Sequence, residues 1–273
     1  MAQPKRFLFF GAHPDDADSL FGGTAIKLAR AGHVVKLVSV CNGDCGHHLM
    51  RRAELAARRY LETQAAAAVA GIAEYQVLDN HDCEIECNLE NRKEIIRIIR
   101  RFQPDVVISH RAVDYHADHR NTGQLVMDAA YLVGVPRFCE DTPIPPRAPV
   151  FAYSYDRFTD PRPIRADAAV EIDSVMDVKL AMLNCHVSQY YEWLPFDKGF
   201  KDFNHLTMTA EQKRDWLLTH WGVRFQTAAD LGRDTLVKTY GDKGKTVKYA
   251  EIFEFSPYGR PMPADEFRVL FEP

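Results

Sequence analysis

The apolar positions in the first half of the chain fall into two alternating patterns, short unbroken runs and longer stretches with a helical period. Residues 6–11 (Arg-Phe-Leu-Phe-Phe-Gly) form one run and the valine-rich 33–40 another; with 75–78 and 106–109 they predict four buried strands. Between them, 18–31, 52–70, 89–102 and 117–133 read as helices, and Gly32 and Gly71 stand where the first two would stop. Strands alternating with helices imply right-handed βαβ units and a sheet covered on both faces. The expected class is α/β, a Rossmann-like three-layer fold with a mostly parallel sheet. Ligands of such sheets bind outside the carboxyl ends of the strands, so chemistry is expected in the loops after the first, second and fourth strands.

The second half is less regular. The proline-rich 142–149 reads as a surface loop, 150–155, 168–172 and 249–255 as strands, and 174–186 and 209–220 as helices. No repeat, low-complexity tract or linker interrupts the 273 residues. They read as a single domain with a core over about 5–190 and a C-terminal elaboration over about 191–273.

Composition narrows the function classes. The hydrophobic share of 46% and charged share of 26% are ordinary for a soluble protein. A net charge of −4, with basic pairs as short as Arg51-Arg52 and Arg58-Arg59, offers nothing to nucleic acid or an anionic membrane. The run at 7–10 is too short for a signal core, and no stretch approaches the ~20 apolar residues of a membrane span, so a cytoplasmic protein is expected. Six cysteines include two C-x3-C pairs, Cys41/Cys45 and Cys83/Cys87. Compact zinc knuckles use C-x2-C, so reduced thiols are expected here.

The first strand runs directly into Gly11-Ala-His-Pro-Asp-Asp16, an imidazole and two carboxylates within four residues. Adjacent carboxylates repel unless a positive charge lies near, and a divalent metal would supply it. The fourth strand leads through His110 into Asp114-Tyr-His-Ala-Asp-His119, where His116 and His119, three apart, share one face of a helix start. His13, Asp16 and His119 then form a two-histidine, one-carboxylate set that matches a catalytic zinc site with its fourth position open. Zinc lowers the pKa of a bound water to about 7, making hydroxide available at neutral pH. Iron accepts the same ligands, so the identity of the metal, one ion per chain, stays open at this point. Asp15 is the candidate general base and His116 the candidate oxyanion donor, with Asp118 a candidate partner for an imidazole. Asp18 reads as a helix cap, and His110 as either an ordinary polar residue or part of the site.

These residues resemble the PIG-L/LmbE family of zinc-dependent de-N-acetylases. The resemblance rests on Ala12-His-Pro-Asp-Asp16 followed by Gly22-Gly23-Thr24 and on His116-Ala-Asp-His119 after a Pro-Asp-Val strand. It extends to Asn42-Gly-Asp44, Arg59-Tyr-Leu-Glu62, His186-Val-Ser-Gln189 and Tyr249-Ala-Glu-Ile-Phe253. It implies zinc on His13, Asp16 and His119, Asp15 as base, His116 at the oxyanion, and an N-acetylglucosamine-like small-molecule substrate. Where many members carry Glu after the Asp pair, this chain has Ala17.

Weaker candidates for substrate contact or support are Asn42, Asp44, Arg59 and His186. Each has a plainer reading: an Asn-Gly turn, a solvent-facing helix residue for Arg59, a helix-end imidazole for His186. Tyr190, Tyr191 and Trp193 read either as core or as a platform for a sugar ring. Exposed aromatics late in the chain would also suit contact between copies. Two other readings remain at this stage, a metal phosphoesterase and a non-catalytic sugar- or nucleotide-binding module.

Overall fold

The computed structural model describes residues 3–200 and 203–272. Its seven strands are β1 (Arg6–Gly11), β2 (Val34–Cys41), β3 (Glu74–Asn80), β4 (Val106–Ser109), β5 (Val150–Ser154), β6 (Ala168–Glu171) and β7 (Ala250–Ser256). The helices are α1 (Asp16–Leu20), α2 (Gly22–Arg30), α3 (Arg52–Ala70), α4 (Leu89–Phe102), α5 (Ala117–Leu132), α6 (Met176–Asn184), α7 (Leu194–Asp197), α8 (Ala210–Leu231), α9 (Arg233–Tyr240) and α10 (Ala264–Arg268).

The strands form one sheet in the order β3-β2-β1-β4-β5-β7-β6, parallel from β3 through β5, with β7 antiparallel to both neighbours. β1 shows why both faces must be covered. Phe7 and Phe9 enter one core while Leu8 and Phe10 enter the other, all fully buried. The chain reverses its winding between β1 and β4, so their outgoing loops diverge and open a crevice there. The region after residue 190, read as an elaboration, supplies β7, which inserts between β5 and β6.

The helix expected over 18–31 is two helices, broken at Phe21, whose ring stacks on Phe9 at 5.5 Å. The break exposes the first amides of α2, and Glu251 caps them, accepting from Gly23 N at 2.9 Å and Thr24 N at 2.7 Å. Lys179, fully buried, donates to the same carboxylate and to the Ser19 carbonyl. Lys179→Met leaves the buried Glu251 side chain short of its partner, and is expected to lower stability by about 3–5 kcal/mol in urea unfolding. A change below about 1 kcal/mol would mean that the helix amides alone hold the carboxylate. The helix expected over 209–220 runs on to Leu231, with Gly222 buried inside it, and α9 follows. Thr209 and Gln212 form a reciprocal capping box at the start of α8.

Candidate metal centre

Ligand-type side chains collect at the crevice between β1 and β4. Gly11 makes the first turn possible: a Cβ there would lie 2.7 Å from Asp16 Cβ, so only glycine lets Asp16 fold back over the strand end. Asp16 Oδ2 then accepts from the His13 amide at 2.8 Å. From the other side, His116 is the N-cap of α5, its Nδ1 accepting from the Asp118 amide at 3.2 Å, and His119 follows one turn on.

His13, Asp16 and His119 come together. His13 Nδ1 lies 3.1 Å from His119 Nε2 and 3.5 Å from Asp16 Oδ2, and His119 Nε2 lies 3.5 Å from Asp16 Oδ1. Ligand atoms on a tetrahedral ion with bonds of ~2.0–2.1 Å stand about 3.3 Å apart, so the three fit one metal ion. The remaining nitrogens fit it too. His13 Nε2 faces Asp82 Oδ1 at 3.2 Å and Asp118 Oδ2 at 3.4 Å, and His119 Nδ1 faces Asp114 Oδ2 at 3.1 Å. Imidazoles that ligate metals are characteristically backed by carboxylates in this way. A second group, His13, Asp82, His116 and Asp118, is also close enough to share an ion. Its carboxylates are already committed: Asp118 accepts from the Cys83 and Ile85 amides, and Asp82 from those of Cys45 and Gly46. One metal position is therefore the better fit.

The charges point the same way. Burial resists ionisation of Asp16, but His119, His110 and His13 overcome it and hold the carboxyl well below its usual range. Burial likewise resists charging of His13, and the groups around it outweigh that effect and raise it well above an ordinary imidazole. Of those, Cys41 is itself pushed up to about 12 by burial and is neutral at pH 7, so the carboxylates of Asp118, Asp16 and Asp82 carry the effect. His116 shifts the opposite way, lowered by burial and by His13 and His119. It is neutral at pH 7, and with Nδ1 accepting, its Nε2 bears the proton.

The other candidates separate. Asp15 is held by Arg59, Nη2 to Oδ1 at 2.6 Å, and Arg59 also donates to the Gly43 carbonyl at 3.3 Å. Arg59 is buried, not solvent-facing; it lies on the α3 stripe with Leu55, Glu62, Thr63 and Ala66. Its guanidinium packs where a Cβ on Gly43 would stand, and Gly43 has φ of +71°. Asn42 and Asp44 tie loops together: Asn42 accepts from the Asp44 amide, and Asp44 accepts from the Asp82 amide and faces His81. His186 is fully buried behind the loop, its Nε2 2.9 Å from Asp18 Oδ1, with no surface in the crevice. Asp18 starts no helix; it is buried and accepts from Tyr75 Oη at 2.8 Å. His110 is buried against the site, stacked on His119 at 4.4 Å, its Nε2 accepting from the Ala12 amide.

Sequence reasoning passed over Asp82 and Asp114. Asp82 follows β3, whose end opens on the same sheet edge as the three loops singled out, and Asp114 stands inside the quoted segment. Tyr115 was also missed; 71% exposed, it stands 5.7 Å from His116 and 6.0 Å from His119, ring to ring. No cysteine joins a metal-type cluster among the described residues, and all six are free.

The family model for GlcNAc-PI de-N-acetylase, PIG-L, matches residues 8–130, the stretch that contains His13, Asp16, His119 and the carboxylates that back them. A diacetylchitobiose deacetylase of Thermococcus kodakarensis is 31% identical over 202 residues, 70% of this chain and 74% of its own length. A 4-oxalmesaconate hydratase of Pseudomonas putida is 26% identical over 76% of this chain and 84% of its own. A solved structure of N,N'-diacetylchitobiose deacetylase from Pyrococcus horikoshii, 24% identical, shares the fold with a TM-score of 0.70, over 97% of this chain and 86% of that one. With the family model falling on the metal-type cluster and a relative this similar along most of its length, the chain is a hydrolytic enzyme of the PIG-L/LmbE de-N-acetylase family.

Proposed function

We propose that this enzyme removes the N-acetyl group from an N-acetylglucosamine-like amino sugar or its conjugate, with one zinc ion held by His13, Asp16 and His119. The observation that carries the reading is the set of 3.1–3.5 Å approaches among His13 Nδ1, His119 Nε2 and the Asp16 carboxylate, one oxygen toward each imidazole, with both imidazoles backed by carboxylates. The chemistry a zinc ion supplies in that position is Lewis acidity, toward the acyl oxygen and toward water. Asp15 takes the proton of the attacking water and passes it to the sugar nitrogen as the C–N bond breaks and the acetyl group leaves as acetate. Arg59 occupies its Oδ1 and fixes the carboxylate, leaving Oδ2 for the proton. His116, neutral and protonated on Nε2, donates to the acyl oxygen as negative charge develops there. Asp82 and Asp118 fix His13, Asp114 fixes His119, and Asn42 and Asp44 hold the loops that carry them. His186 supports the loop through Asp18.

His116→Ala is expected to keep the metal and lower turnover about 10²–10³-fold, the usual cost of one oxyanion donor. Loss of metal in that variant would make His116 a ligand instead. The two deacetylases named above act on acetylated amino sugars, which supports the substrate class. Acetate release from N-acetylglucosamine and N,N'-diacetylchitobiose tests it, and no release from either would reject it.

The hydratase relative supports a second reading, water addition to an unsaturated acid. The site disfavours it: Asp15, Asp16, Asp82, Asp114 and Asp118 surround the crevice, and Arg59, buried beside them, is engaged by Asp15. A carboxylate-bearing substrate would meet repulsion there. The same charge and the one-metal fit also disfavour a phosphoesterase. We also read the chain as a single domain and as cytoplasmic, supported by its continuous sheet and its six free thiols. Among the described residues no helix is long and apolar enough to cross a membrane.

A further inference from the structure

The two C-x3-C pairs of the sequence do not act as pairs. Cys41 is buried at the end of β2, and Cys87 Sγ is turned to the Asn121 carbonyl at 3.4 Å. Cys45 and Cys83 are exposed, in the loops after β2 and β3, and those loops are stitched to each other. The Asn42 amide donates to the Asn80 carbonyl at 2.9 Å, and the Asp82 amide to Asp44 Oδ1 at 3.0 Å. Both cysteines reach one carboxylate: Asp82 Oδ2 accepts from the Cys45 amide at 3.4 Å, and Oδ1 from Cys83 Sγ at 3.5 Å. Arg52 spans the same gap, with Nη1 2.8 Å from Glu84 Oε1 and Nη2 3.8 Å from Cys45 Sγ. The two thiols face each other within side-chain hydrogen-bonding reach.

Their surroundings differ. Cys45 is open to solvent with a guanidinium beside its sulfur, the electropositive, accessible setting in which cysteines are oxidised. Desolvation and the Asp82 carboxylate push the Cys83 thiol up to about 12, so it keeps its proton at pH 7. Cys83 also stands at φ +70°, a conformation that a residue with a Cβ resists and that the loop contacts hold. The same loops position the candidate metal centre. The Cys83 amide donates to Asp118 Oδ2 at 2.7 Å, and Asp82 and Asp118 face His13 Nε2 at 3.2 and 3.4 Å. Drawing the two sulfurs into bonding distance therefore shifts both carboxylates that orient His13.

We propose that Cys45 and Cys83 form a reversible oxidation site that turns the metal centre down, with hydrogen peroxide as the oxidant. The inference rests on the candidate metal centre and not on the substrate. The Cys45 thiolate attacks one peroxide oxygen; the S–O bond forms as the O–O bond breaks, and the departing hydroxide takes a proton from solvent and leaves as water. Cys83 Sγ then attacks the sulfur of the sulfenic acid, the S–S bond forms, and the hydroxyl leaves with the Cys83 proton as a second water. Two thiols give up two electrons, and one peroxide takes them. A small dithiol reverses the bond.

The test exposes the metal-loaded parent, Cys45→Ser and Cys83→Ser to hydrogen peroxide, then follows cross-linked peptides by mass spectrometry, metal content and acetate release. The parent is expected to form a Cys45–Cys83 disulfide and to lose activity about tenfold, with dithiothreitol restoring it, the size of effect of disturbing a carboxylate behind a metal-binding imidazole. Both variants are expected to start at parent activity and to show no dithiothreitol-reversible loss, and Cys83→Ser to stop at a sulfenic acid on Cys45, trapped with dimedone. Absence of the Cys45–Cys83 peptide from the oxidised parent would overturn the inference. So would the disulfide with activity and metal unchanged, or an equal reversible loss in the variants. A parent inactive on every acetylated sugar would remove the deacetylase reading alone, because the cross-linked peptide and the metal content still decide this one.

Discussion

Asp15→Asn is expected to lower turnover about 10²–10⁴-fold while the metal content stays that of the parent, the size of effect a positioned general base contributes. The substitution is close to a charge deletion. Asn keeps an oxygen for Arg59 Nη2, now 2.6 Å from Asp15 Oδ1, so the loop has no reason to move. Asp15 is also absent from both groups of side chains close enough to share an ion, so metal retention follows from the same geometry. Steady-state acetate release and metal analysis on one preparation check both halves. Turnover within tenfold of the parent would remove Asp15 from the reaction. Loss of the metal would make it a ligand.

The sequence made the first strand turn and the H-x-x-H segment legible because the chemistry there is compressed. His13, Asp15 and Asp16 fall within four residues, and His116 and His119 share a helix start, so neither inference needed long-range contacts. Asp82 was not legible in that way. It is a lone aspartate after β3, and its value comes from His13, Cys45 and Gly46, which reach it from two other loops. Arg59 could have been read. It falls on the buried stripe of α3 with Leu55 and Ala66, and its charge made a solvent-facing position the simpler assignment until Asp15 appeared opposite it. His186 went the other way: its segment fits the family pattern, yet the helix end that carries it faces Asp18 inside the core.

The fold shows the same division. Alternating runs and helical periods sufficed for β1 to β5 and the parallel half of the sheet. The insertion of β7 between β5 and β6 depends on antiparallel pairing across about a hundred residues, which no local pattern encodes. The break at Phe21 is equally tertiary. A continuous helix would satisfy its own amides, and the chain instead presents Gly23 and Thr24 to Glu251, more than two hundred residues away.

The second large effect is expected at His119. It has one nitrogen 3.1 Å from His13 Nδ1 and the other 3.1 Å from Asp114, which together seat it in the ligand set. His119→Ala removes a ligand and leaves Asp16 and His13 to hold a divalent ion alone, too few for a stable catalytic site. The measurement that tests the reading most directly is metal content of the purified enzyme beside His119→Ala prepared identically. The expected result is about one zinc per chain in the parent and little in the variant, with acetate release falling in step. Metal absent from both after zinc is supplied, or full metal and full activity in the variant, would contradict the assignment of His13, Asp16 and His119 as the centre of the site.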